Sequence, residues 1–394
     1  MASTRNRETP PVRRRSRSLS QEEIAQRRKQ EERNRQKELM RKKKRRRRKA
    51  IILALEAVVL VFLGVVIFVY SKWDKIIKAD FSDSDIQVND DLSEDTLQSL
   101  SGYRTIAVFG TDARDMTTET GHSDVVMLVS INNETGDIKL ASVFRDLFVN
   151  DPYDTNAFRK MTTMYWREGA KGAIDALNRN LDLNITEYVS VNWYAVAHAI
   201  DLLGGIDIEV PESMMQYING YIQETRNSTG IWSDPDNFES DYIYSPGYQH
   251  LNGVQAVAFC RIRYIDNDYG RAERQRQVVS LMLEKAKQAS LSTLNSIADE
   301  VFGYVSTNLT IADVLSMAGA ISRFNIVDTA GFPFDRQAAT VDGASYVFPQ
   351  GLEQNVEQLH AFLYDNESYE ASGTVKAISK YIEEYSGIGA PASD

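Results

Sequence analysis

The sequence predicts an α/β domain preceded by one membrane-spanning helix. Two observations carry this. Between Tyr103 and Ala289, short apolar runs rich in β-branched residues alternate with longer segments of helical spacing. Ahead of them, residues 50–70 read AIILALEAVVLVFLGVVIFVY, twenty-one residues with one charge, Glu56.

At about 1.5 Å per residue, the apolar segment spans roughly 31 Å, the thickness of a bilayer's hydrocarbon core. Fifteen of its residues are Leu, Ile, Val or Phe. They favour insertion by about 5–9 kcal/mol, against about 3 kcal/mol for Glu56 at the bilayer centre. A cleaved signal peptide would need a shorter apolar core and a small-residue site. The flank SKWDKIIKAD has no such site, which favours an uncleaved signal anchor. Residues 1–49 hold 21 Lys/Arg and 6 Glu, a net of +15, whereas the remainder holds 24 basic and 49 acidic residues, a net of −25. The run RKKKRRRRK (41–49) abuts the anchor. The N-terminus is therefore expected in the cytoplasm and the acidic domain outside, in a single-pass cell-membrane protein. Such a basic run more often sets topology and attracts anionic lipid than it binds nucleic acid, so no nucleic-acid partner is expected. QEEIAQRRKQEERNRQKELM (21–40) suits a charged helix with Glu/Arg pairs.

The expected divisions are a basic tail (1–49), the anchor (50–70), a polar stalk (71–100), a catalytic domain (101–290) and a C-terminal extension packed on it (291–394). YRTIAVFG (103–110), DVVMLVSI (124–131) and DIKLASVF (137–144) read as strands, with NNETGD making a hairpin of the last two. GAKGAIDALNRNL (169–181) and VNWYAVAHAIDLLGG (191–205) read as helices, the second ended by its Gly pair. IDIEV (206–210) reads as a strand, and Pro211 to Gly247 as irregular. VQAVAFCRIRY (254–264) reads either as a helix running into a strand or as one long buried strand. RAERQRQVVSLMLEKAKQA (271–289) is an amphipathic helix, and helical pieces follow, with a strand near FNIVDTAGFPF (324–334).

Composition removes several chemistries. Cys260 is the only cysteine, so no internal disulfide forms, and its run AVAFC makes it a small core residue. Four scattered His and no H-E-x-x-H leave no zinc site. There is neither a G-x-x-x-x-G-K loop nor a G-x-G-x-x-G turn for a nucleotide.

Three clusters carry other chemistry. GTDARD (110–115) ends one strand and SDVVM (123–127) opens the next, so Asp112 and Asp124 converge at one sheet edge. Two carboxylates without His or Cys suit Mg²⁺, though turn and cap aspartates are the plainer reading of this pair alone. FRDLF (144–148) sets Arg145 and Asp146 after a strand, where they also suit a structural ion pair. CRIRYIDNDYGRAERQRQ (260–277) packs five arginines into eighteen residues of an acidic domain. If Arg261 and Arg263 lie on a strand they share a face. Arg271 and Gln275 share a helix face, and Arg274 or Arg276 must point elsewhere. Guanidinium forks bind phosphate oxygens bidentately. Together the clusters read as a Mg²⁺-plus-arginine site for a pyrophosphate or phosphodiester.

The ordered motifs GTDAR, SDVVMLVS, SVFRD, DLLGGID, LNGVQAVAFCRIRY and DYGRAERQ closely resemble those of the LytR–CpsA–Psr family of bacterial envelope proteins, over roughly Tyr103 to Ala289. The resemblance implies an α/β/α sandwich around a mixed central sheet. It implies a transferase that moves an anionic glycopolymer from a polyprenyl-pyrophosphate carrier to peptidoglycan and releases polyprenyl phosphate. Carried over by motif, Asp112 and Asp124 would hold Mg²⁺, and Arg145, Arg261, Arg263, Arg271 and Gln275 would grip the pyrophosphate. Asp112, Arg145 and Arg263 would be catalytic, with Asp112 a candidate to help deprotonate the acceptor hydroxyl. His122 stands where many members have Arg, which removes a permanent charge and would weaken phosphate binding or make it pH-sensitive. The competing readings are an envelope sensor or scaffold that binds the lipid pyrophosphate without transfer, and a regulator acting through the basic tail. The polymer, the acceptor hydroxyl and the oligomeric state are not written in the sequence.

Overall fold

The structure, a computed structural model, describes residues 70–113 and 121–391, with parts of 21–44, which are helical. Contacts divide the chain into two compact units, Met1–Val69 and Tyr70–Asp394. Residues 50–69 of the expected anchor lie outside the described residues. Among the described residues, no helix is long and apolar enough to cross a membrane.

The second unit is built on a mixed seven-stranded sheet. In spatial order its strands are β1 (Ile77–Lys78), β10 (Val305–Thr307), β7 (Glu187–Asn192), β2 (Tyr103–Thr111), β3 (Ser123–Asn132), β4 (Asp137–Val143) and β11 (Asn325–Phe332). The central β2–β3 and β3–β4 pairs are antiparallel, and β3–β4 is the expected hairpin. β7 runs parallel to β2, and β11 parallel to β4. The ends of β2, β4 and β7 therefore meet the start of β3 at one edge.

Side-chain alternation along these strands fills two cores, as a period of two requires. Ala107, Phe109, Val126, Leu128, Ala141 and Val143 face α2 (Met161–Leu181), α9 (Leu352–Tyr364) and α10 (Gly373–Ser386). Ile106, Met127, Ile131, Ile138 and Leu140 face Val279 and Leu283 of α6 (Asn267–Gln288) and Met317 of α8 (Ile311–Ala320). A sheet between two helical layers results. At Gly169 (φ 63°, ψ −158°) α2 is kinked, a conformation that glycine adopts without steric cost.

A smaller core sits beside the sheet. It joins α3 (Trp193–Leu202), α4 (Met215–Thr229), α5 (Gly253–Arg261) and the hairpin of β8 (Ile206–Val210) with β9 (Gly247–Leu251). Gly204 and Gly205, both at positive φ, end α3 and turn the chain into β8. Cys260 is buried here, as expected, and burial pushes its thiol up to about 12. Gly253 is close enough to α3 that an added Cβ would lie 1.8 Å from the Ala197 carbonyl oxygen.

Three expectations are corrected. Pro211–Gly247 is not irregular throughout, because α4 lies inside it. Its buried stripe is only Ile218, Ile222, Thr225 and Arg226, too polar a face to announce itself. Arg226 and Asp241 form a buried ion pair (3.3 Å), with Trp232 stacked on the guanidinium, and this ties the following loop down. Residues 71–100 are not a free stalk. They supply β1 and α1 (Glu94–Ser101), whose Leu100 enters the main core. Nor is 291–394 simply an added layer. It contributes β10 and β11 to the sheet, while α7 (Leu291–Glu300) sets Ile297 against Ala195 and Ala199 of α3. The remaining strands pair locally, β5 (Phe148–Asp151) with β6 (Asp154–Lys160) and β12 (Arg336–Val341) with β13 (Ala344–Pro349).

Candidate active site

The strand ends described above open into a cavity of about 610 Å³. Binding at the carboxyl ends of strands is the usual habit of open α/β sheets. Asp112 follows β2, Asp124 opens β3 and Arg145 follows β4. All three line the cavity, as do Arg261 from the end of α5, Arg263 from the next loop and Arg271 from α6. Arg261 and Arg263 are not on a strand: the first closes a helix and the second follows it. Packing of α5 against α4 and α6, rather than strand alternation, turns both toward one space.

Asp124 is the centre of charge. Its carboxylate accepts from Arg145 Nη1 and from Arg263 Nη2 (3.1 Å), and Arg271 Nη1 lies 3.7 Å away. Arg271 Nη2 also donates to the Asp124 carbonyl oxygen (3.2 Å). Burial pushes the carboxyl up, but Arg271, Arg145 and Arg263 together outweigh it and hold it below the usual carboxylate range. Burial pushes the Arg271 guanidinium down to about 10, still charged at neutral pH. Asp268 pairs with Arg271 (3.1 Å) and Arg263 (3.4 Å), and Asp146 pairs with Lys160 (2.9 Å) and Arg145 (3.6 Å). Arg261 lies apart from this group, donating to Thr225 Oγ1 (2.9 Å) beside Glu224 (3.7 Å).

Asp112 is exposed and accepts the His122 backbone N–H (2.9 Å). The His122 ring stacks on Trp166, with centroids 5.7 Å apart. Gln275 is buried, its amide 3.5 Å from the Cys260 carbonyl oxygen, and does not line the cavity. Arg274 holds the Phe259 and Ile262 carbonyls and Asp266, and neither it nor the buried Arg276 lines the cavity. The apolar face of α3 is core, and only its first residue, Trp193, reaches the cavity.

Sequence reasoning missed Lys160, Thr162 and Thr163 at the start of α2, and Tyr221 and Glu224 on α4. A basic residue and two hydroxyls opening a helix were a readable signal for an anion site. The α4 residues had none, because α4 itself was hidden. The Thr162 hydroxyl is buried and has no hydrogen-bond partner among the described residues.

For a metal, the donor set is thin. Among the described residues, no three His, Cys, Asp or Glu side chains gather as ligands. Asp112 and Asp124 do line one cavity, and both are hard oxygen donors. That fits Mg²⁺, which characteristically takes one or two carboxylates and fills its shell from phosphate and water. Arginine contacts already engage both oxygens of Asp124, so a cation would share or displace them.

The chain is similar to several known proteins. Biofilm regulatory protein A of Streptococcus mutans is 29% identical over 243 residues, 57% of this chain and 54% of that protein. The polyisoprenyl-teichoic acid–peptidoglycan teichoic acid transferase TagV of Bacillus subtilis is 29% identical over 209 residues, 52% and 49% of the two chains. The chain thus spans about half the length of these curated relatives. Among solved structures, protein gbs0355 of Streptococcus agalactiae has the same fold, with a TM-score of 0.57 at 22% identity over 74% of this chain and 97% of that one. The LytR_cpsA_psr family model matches residues 65–361, most of the chain and every strand that builds the cavity's edge, and the chain belongs to that family.

Proposed function

We propose that this chain is a phosphotransferase that moves an anionic glycopolymer from a polyprenyl-pyrophosphate carrier to peptidoglycan. The observation that carries this reading is the convergence of Arg145, Arg263 and Arg271 on Asp124, beside Asp112. TagV of Bacillus subtilis, which carries a teichoic acid transferase name, supports it.

In the proposed step, the acceptor hydroxyl oxygen bonds to the sugar-linked phosphorus. The bridging P–O bond breaks, and its electron pair leaves with polyprenyl phosphate. The hydroxyl proton goes to a base, for which the exposed Asp112 carboxylate is the candidate. Guanidiniums neutralise the charge that develops on the leaving phosphate. Mg²⁺ held by Asp112 and Asp124 would supply further neutralisation of pyrophosphate oxygens. An anchor at residues 50–70, with the domain outside, would hold the site beside a carrier confined to the same leaflet.

The test uses the full chain in detergent micelles with Mg²⁺, a lipid-linked anionic glycan and peptidoglycan fragments. Polyprenyl phosphate should be released, and Arg263→Ala should lower kcat/KM by about 100-fold, the loss typical of removing one preorganised donor. Tight lipid binding with no release would sink the transferase reading and leave an envelope sensor or scaffold.

A further inference from the structure

A second surface, outside the arginine cavity, is paved with aromatic rings. Tyr381 of α10 stacks on Phe158, with centroids 4.3 Å apart and planes 7° apart. Tyr385 stacks on Phe148 at 5.4 Å and 4°. The two phenylalanines stack on each other, and the two tyrosines are nearly parallel, 5.9 Å apart. Each tyrosine therefore has one ring face against a phenylalanine, yet each is 41% exposed. Rings seated in this way are rigid and still meet solvent.

This pavement is continuous with the cavity. Tyr346 meets Phe148 edge-on (5.1 Å), and Lys160 Nζ lies 5.5 Å over the Tyr346 ring while pairing with Asp146. On its other side, Tyr381 walls a groove of about 460 Å³ that also holds Asn150, Thr155, Arg179 and Thr374. The border carries both signs: Tyr385 donates to Asp342 (3.0 Å), while Lys380, next to Tyr381, pairs with Glu384 (3.8 Å).

We infer that this strip docks the acceptor, the glycan backbone of peptidoglycan. Naming that glycan rests on the transferase reading; sugar binding as such does not. Pyranose faces carry weakly positive C–H groups, which complement the negative face of an aromatic ring. In the groove the exposed Thr155 hydroxyl and the half-buried Arg179 guanidinium can meet sugar hydroxyls, whereas Asn150 is buried and Thr374 is bonded to Asp91. The arginine cavity takes the donor's pyrophosphate, so a separate ring-lined strip beside it is left for the acceptor. Continuity through Tyr346 and Lys160 leads that acceptor to the reacting phosphate. Tyr381 and Tyr385 lie beyond residue 361, where the family match ends, so the device belongs to this chain's own C-terminal part.

The experiment pellets the detergent-solubilised full chain with purified sacculi stripped of anionic polymer, and measures lipid pyrophosphate binding separately. Tyr381→Ala with Tyr385→Ala should weaken sacculus retention at least tenfold and leave lipid binding unchanged. The paired Tyr→Phe variant, which keeps the rings, should retain wild-type behaviour. Cleaving the glycan with a muramidase should release the chain. Three results would overturn the inference: no retention of the wild type, equal retention of the alanine variant, or equal loss in the phenylalanine variant. Ring-dependent retention without release of polyprenyl phosphate would uphold the strip and remove the transferase reading.

Discussion

At Asp124, one carboxylate answers three guanidiniums. Its folded pKa lies below the ordinary 3.8, because the arginines outweigh burial. A depressed carboxyl contributes stability that is complete above the unfolded value and is lost as pH falls through the folded one. Asp124→Asn should therefore cost about 2 kcal/mol at neutral pH, the scale of a charge-assisted hydrogen bond. In urea unfolding, the gap to wild type should close as the solution is acidified below 3.8. A gap that persists in strong acid would show that shape, not charge, sets the effect. The residue types at this site were legible in the sequence, since alternating arginines in an acidic domain are conspicuous. Their partners were not. Nothing local distinguishes Arg271, which faces Asp124, from Arg274, which closes off backbone carbonyls three residues later.

Among elements, the contact between α9 and the end of α2 has a titratable centre. His360 on α9 donates Nε2–H to the Leu181 carbonyl oxygen (3.0 Å) and stacks on Tyr369, with centroids 3.7 Å apart. Burial pushes its pKa down from 6.5 to about 4, and the bond to Leu181 only partly offsets this. The unfolded chain thus takes a proton before the folded one does. Stability is complete above 6.5 and falls by about 1.4 kcal/mol per pH unit between 6.5 and 4, about 3 kcal/mol in all. His360→Gln should flatten that slope, as read from urea midpoints at stepped pH. An unchanged slope would place the proton elsewhere. β2, β3 and β4 were readable as short apolar, β-branched runs buried on both faces, and α6 by the helical spacing of its apolar residues. The polar face of α4 and the break at the end of α5 were not, because their partners come from distant parts of the chain.

Across the whole molecule, the sheet is closed by strands from both ends of the second unit. β1 comes from before residue 101, and β10 and β11 from after residue 290. Residues 101–290 alone would leave β4 and β7 as bare edges, a template for aggregation. That fragment should be insoluble or unfolded, whereas 70–391 should give a cooperative thermal transition by circular dichroism. A soluble, cooperatively folding 101–290 would refute the claim that the outer strands are structural.

Local chemistry decided much of this in advance. The apolar segment 50–70, the alternating strands, the amphipathic helix after Arg271 and the arginine-rich stretch 260–277 are all consequences of residue order over short distances. Period and charge density are local properties, so a linear reading recovers them. Which strands pair, which arginines meet Asp124, why Gln275 turns inward and how Tyr381 and Tyr385 come to lie on Phe158 and Phe148 are settled by long-range packing. Those contacts join residues tens to hundreds of positions apart. Only the burial of two cores against one sheet brings them within reach.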